Sequence, residues 1–159
     1  MSNTEELSLL PTLRAILDTV VDDYTLKSLH VCGHQLKSHA ATTLVSFSDA
    51  RHWEISVDYF ALAEKRDGSL GLVLVNVSKG ALGLTELGEL HAYSRAVKPL
   101  LAVQIAPTGL SRDLYSLLLR PEVSERLLKR HTSPIWIYAG VNPSEPFSID
   151  AFFPPLRLG

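Results

Sequence analysis

The stretch from His52 to Gly80, HWEISVDYFALAEKRDGSLGLVLVNVSKG, decides how this chain folds. In its first half Trp53, Ile55, Val57 and Tyr59 alternate with Glu54, Ser56 and Asp58, and Phe60 to Ala63 are apolar throughout. Successive side chains of a strand point to opposite faces, so a period of two predicts a strand with two distinct faces. Arg66-Asp67-Gly68 predicts a tight turn, because glycine adopts the positive φ that hairpin connections require. Leu72 to Val77 is apolar except for Asn76 and predicts a central strand buried on both faces. Asp58 therefore stands on the first strand of a hairpin, beside a buried strand that runs out into Asn76, Ser78 and Lys79.

Downstream, Thr85 is the expected N-cap of a helix with Glu86 and Glu89 in its first turn. Leu87, Leu90, Ala92, Tyr93, Ala96 and Val97 supply its apolar positions before Pro99 ends it. Leu100 to Ala106 predicts another buried strand. Ser111 is expected to cap a helix through Leu114, Leu117 and Leu118, and Pro121 to start one through Val123, Leu127 and Leu128. Pro134 to Ala139 predicts a last strand.

Upstream, residues 1–8 read as a polar lead-in. Leu10, Leu13, Ile16, Leu17, Val20, Val21 and Tyr24 then follow helical spacing, with Pro11 in the first turn and Asp18, Asp22 and Asp23 on a solvated face. Thr42 to Ser48 predicts a strand leading into the hairpin. Strand, helix, strand, helix, strand is the order of an α/β protein with right-handed crossovers.

At 159 residues one domain is expected, with 142–159 as an irregular Pro/Phe-rich tail. Prolines bar that tail from pairing throughout as a central strand, and it is expected to lie across the domain, covering an apolar edge. The other use of Phe152 and Phe153 is docking, onto a second subunit or another protein.

A net charge of −2 supplies no global basic field to attract nucleic acid. The single cysteine, Cys32, excludes an internal disulfide and suits a reducing compartment. With no apolar run of membrane-spanning length and an acidic, polar N-terminus, a cytoplasmic protein is expected. His30, Cys32 and His34 would share one strand face as zinc ligands, but Gly33 interrupts the run and no second cluster completes a tetrahedral set. The segment, with His39, reads instead as a strand and turn carrying scattered histidines. No phosphate-binding loop, dinucleotide fingerprint or nucleophile elbow is present, and Gly80-x-x-Gly83 alone is a weak anion cradle.

The hairpin and the elements downstream of it resemble the PD-(D/E)XK nuclease superfamily, the restriction-endonuclease-like fold, over roughly Thr42 to Val141. Members place an aspartate on one hairpin strand and an acid-x-Lys triplet on the next. The resemblance implies a central mixed β-sheet flanked by helices, with Asp58 at the first acid. In the better register Asn76 takes the place of the metal-binding acid and Ser78 that of the lysine. Shifting by one keeps Lys79 but puts Val77 at the acid. Neither register supplies a second carboxylate, and two anionic oxygens are what hold a hard divalent cation.

Three functions are compatible with these residues. The first is a non-catalytic protein of restriction-endonuclease-like fold, a structural or binding component that has lost nuclease activity, needs no cofactor and meets a protein partner or its own copy. The second is a Mg- or Mn-dependent DNA or RNA nuclease. Some relatives move the second carboxylate to the following helix, which would be Glu86 or Glu89, with Asp58 as strand ligand and Lys79 as charge stabiliser. Glu54 is a further contributor on the face of Asp58, and Tyr93 and Arg95 are candidates for contact with a backbone phosphate. Others add an acid from the first helix. The third function is nucleic-acid binding without cleavage, which needs a basic face built from Lys79, Arg95 and Lys98.

Overall fold

A computed structural model describes residues 3–21, 23–129, 133–139 and 151–154. The chain is α/β: a six-stranded mixed sheet flanked by helices. The strands are β1 (Thr25–Val31), β2 (Tyr59–Glu64), β3 (Leu70–Val77), β4 (Leu101–Ile105), β5 (Ile135–Tyr138) and β6 (Phe152–Phe153), and they lie in that order across the sheet. β1, β2 and β3 form an antiparallel meander, β4 and β5 continue it in parallel, and β6 returns antiparallel. The helices are α1 (Asn3–Val20), α2 (Leu84–Val97), α3 (Arg112–Leu118) and α4 (Pro121–Ser124), the last running on into a wider turn at Glu125–Lys129. No helix among the described residues is long and apolar enough to cross a membrane.

Side-chain parity divides the core into two layers. Leu72 and Leu74 of β3, Phe60 and Leu62 of β2, and Ala102 of β4 face α2, α3 and the segment between β1 and β2. Val73, Val75, Tyr59, Ala61, Ala63, Leu101, Val103 and Ile105 face α1. Because both faces are covered, β3 and β4 are buried along nearly their whole length, as their continuous apolar runs require. Gly71 has a packing reason: a Cβ there would run into the Leu100 side chain. The hairpin turn needs Gly68, whose φ is +86°, while Asp67 Oδ1 accepts from Ser69 N at 2.9 Å.

Several expectations give way to tertiary context. Pro11 lies inside α1, not at its first turn, since the helix already runs from Asn3. Tyr24 lies past the helix end, its N–H donating to Val21 O at 2.7 Å. The N-cap of α2 is Gly83, not Thr85, which is inside the helix. Ser111 caps α3 as expected, its hydroxyl accepting from Leu114 N at 3.2 Å, and Pro121 opens α4.

Thr42–Ser48 is not a strand. It is a run of local turns, with Val45 N–H donating to Thr42 O and Phe47 N–H to Leu44 O, anchored by buried Leu44 and by Phe47 packed on Trp53. The neighbour of β2 on that side is β1, and the segment spends its backbone N–H groups on these local turns instead of on the sheet.

The first hairpin strand is also shorter than its alternation predicts. Trp53 and Val57 are buried and Glu54 and Ser56 exposed, so the period of two is present, but the ladder begins only at Tyr59. Ile55 O and Trp53 O instead accept from Leu36 and Lys37 N–H in the turn after β1. Of the tail, Phe152–Phe153 closes the sheet edge beside β5, with Phe152 buried against Tyr138; the rest of 142–159 and Asp22 lie outside the described residues, apart from Ala151 and Pro154.

Candidate functional site

β3 and β4 are parallel, so their carboxyl ends open on the same side, where α2 begins. A cleft of about 450 Å³ lies there. Strand parity puts Asp58, Asn76 and Gln104 on the α2 side of the sheet, in line with Phe60, Leu74 and Ala102. Glu86, Glu89 and Tyr93 come from α2, where spacings of three and four residues set them on one stripe beside the buried Leu87, Leu90, Ser94 and Val97. Lys79 enters from the β3–α2 connection, and Gly33 and His34 from the turn after β1.

At the mouth of the hairpin the ladder changes character. The register Tyr59↔Val75 sets Asp58 opposite Asn76, one position beyond the last regular pair. There each side chain bonds the other strand's backbone: Asp58 N–H donates to Asn76 Oδ1 at 3.1 Å, and Val77 N–H donates to Asp58 Oδ2 at 2.7 Å. The second bond is charge-assisted and short, so Asp58 holds β3 in place where the strands begin to part. On its other side Asp58 O accepts from Cys32 N at 3.0 Å, which ties in the end of β1.

The cleft gathers Asp58, Asn76, Lys79, Glu86, Glu89 and Tyr93. Other expected residues fall elsewhere. Ser78 is buried and turned to the sheet, its hydroxyl accepting from Gln104 Nε2 at 3.0 Å. Glu54 is not on a strand with Asp58; it is exposed and paired with Lys37 at 3.2 Å. Arg95 is exposed and about half a turn of helix away from Glu86, hence off the cleft stripe. Lys98 follows the C-terminus of α2 while Lys79 precedes its N-terminus, about 20 Å apart along a 14-residue helix, so the basic face from Lys79, Arg95 and Lys98 is not assembled.

Gln104 and His34 are cleft residues that the motif pattern does not include. Gln104 left a signal in the sequence: it is the one polar residue in the strand Leu101–Ile105.

His30, Cys32 and His34 do not converge. Cys32 is buried and its thiol donates to His34 O at 3.1 Å, while His30 stacks on Phe60 with ring centroids 5.1 Å apart. Burial raises the Cys32 thiol pKa above its ordinary value, with the Asp58 charge adding in the same direction against two backbone hydrogen bonds. No group of three or more His, Cys, Asp or Glu side chains among the described residues is arranged to hold a metal ion.

No family model, curated protein or solved structure matches the chain. The chemistry therefore has to be read from the cleft itself: three carboxylates (Asp58, Glu86, Glu89) and one ammonium (Lys79), with neutral acceptors on the floor.

Proposed function

We propose that this is a non-catalytic protein of restriction-endonuclease-like architecture whose cleft binds and does not cut. The observation that carries the reading is the Asp58–Asn76 crossover. The aspartate at the motif's first position spends one oxygen on Val77 N–H, and the residue at the second position is an amide whose oxygen takes Asp58 N–H. Ser78, at the lysine position, is buried against Gln104. Three motif positions thus serve strand pairing and core hydrogen bonding. A six-stranded mixed sheet flanked by helices is in keeping with the central mixed sheet that the resemblance implies. Carboxylates outnumber the lysine in the cleft, which opposes a phosphate backbone in the absence of a cation.

A second reading, a divalent-metal-dependent nuclease, is favoured by one observation: Glu86, Glu89 and Lys79 share the cleft with Asp58. Calorimetric titration with Mg²⁺ and Mn²⁺, together with cleavage assays on single- and double-stranded DNA and RNA, separates the two. The expected outcome is no saturable heat and no cleavage, in wild type and in Asp58→Ala alike. Saturable binding and cleavage that vanish in Asp58→Ala would establish the nuclease instead.

A further inference from the structure

Gln104 carries a hydrogen-bonding group that the fold leaves unused. It is 2% exposed, sits in an otherwise apolar strand and lines the cleft floor. Its Nε2 donates to Ser78 Oγ, while its Oε1 is buried and meets no hydrogen-bond partner among the described residues. An unpartnered buried amide oxygen is a cost to folding that leucine or methionine at the same place would avoid. Such a group is explained by a donor that arrives with a ligand.

The surroundings specify the donor. Asp58, Glu86 and Glu89 make the cleft acidic, so a cation is attracted and an anion repelled. Its volume of about 450 Å³ is that of a small-molecule pocket, far larger than an ion needs. Tyr93 adds an aromatic ring to the lining, a surface on which ammonium and guanidinium groups settle. A neutral amide oxygen beside carboxylates matches N–H donors, and Asp58, which already gives one oxygen to Val77 N–H, has only the other to offer a bare metal ion. The geometry points to the cleft as a binding site for a small organic cation with several N–H donors, an alkyl polyamine or guanidinium compound, held by Gln104 Oε1 and the carboxylates of Asp58, Glu86 and Glu89. This rests on the reading of the cleft as a binding site that does not cut.

The test uses the full chain and titrates spermidine and agmatine, with glutarate as the anionic control, by calorimetry and thermal shift. Saturable binding of at least one amine is expected, with a raised melting temperature and no response to glutarate. Affinity should fall about tenfold or more in Gln104→Met, which loses the neutral acceptor, and in Glu89→Gln, which loses a charge at an exposed position where folding is unaffected. Gln104→Met also breaks the buried bond to Ser78, so Ser78→Ala is the control: it loses that bond, keeps Gln104 Oε1 and should retain amine affinity within about twofold, an outcome a purely structural role for the pair does not produce. No saturable amine binding would overturn the proposal, as would equal affinity in wild type, Gln104→Met and Glu89→Gln, the signature of diffuse charge attraction. Cleavage assays on the same samples keep two failures apart. Absence of amine binding without cleavage removes this inference alone, while Asp58-dependent cleavage removes the reading beneath it.

Discussion

Asp58 shows how one residue type serves two different ends. A carboxylate at the start of a hairpin strand suits a metal site, and it equally suits a backbone N–H that has lost its ladder partner. Here it takes the N–H of Val77 at 2.7 Å. Asp58→Ala is expected to lower stability by about 1–3 kcal/mol, because a partly buried donor loses its acceptor. Asp58→Asn, which keeps an acceptor oxygen, should lose less; urea denaturation of the two variants checks the order.

His30 offers a pH test at the same scale. Its pKa is lowered by burial first and by the neighbouring His39 second, and its Nε2 is buried without a hydrogen-bond partner among the described residues. A base whose folded pKa lies below its unfolded value binds fewer protons than the unfolded chain. Its contribution is therefore complete above the ordinary histidine value of about 6.5 and is lost as pH falls through that value toward the lower folded one. Melting temperature should fall between neutral pH and about pH 5, and His30→Phe, able to stack on Phe60, should flatten that part of the profile. An unchanged profile in the variant would show that other groups set the acid limb.

At the scale of elements, β3 anchors the molecule because it takes partners on both sides and is covered on both faces. Gly71 lets Leu100 lie directly against that strand. Gly71→Ala is expected to destabilise by about 1–3 kcal/mol, as overpacking does, whereas alanine in a strand is ordinarily no worse than glycine; chemical denaturation gives the sign. α2 has a different task. Its buried stripe fixes the helix on the sheet, and the neighbouring stripe of Glu86, Glu89 and Tyr93 is thereby aimed at the ends of β3 and β4. Three- and four-residue steps return to the same helix face, so Glu86, Glu89 and Tyr93 share a stripe, although Tyr93 reads in the sequence as one of the apolar positions. Only the packing of α2 decided that this stripe meets Asp58.

Across the whole molecule, the sheet is closed at one edge by two residues from far along the chain. Phe152 packs edge-on against Tyr138 and Trp136, with centroids 5.1 and 6.3 Å apart, and is 2% exposed. Phe152→Ala should cost about 3–5 kcal/mol and uncover the edge of β5, so that light scattering on heating begins at a lower temperature than in wild type. The amino-acid sequence by itself determined the α/β order, the hairpin, the buried strands β3 and β4 and the Ser111 and Pro121 helix starts, because apolar periodicity and capping chemistry are local properties. It misplaced Thr42–Ser48 and Trp53–Asp58, where β-branched residues and alternation signal extended chain and say nothing of which backbone partners the segment finds in the folded chain. The tertiary structure alone decided the site. Whether Asp58 bonds a metal or a neighbouring strand, and whether Ser78 faces a cleft or Gln104, depends on contacts between residues 18 to 26 positions apart, which only the packed sheet brings within hydrogen-bond reach.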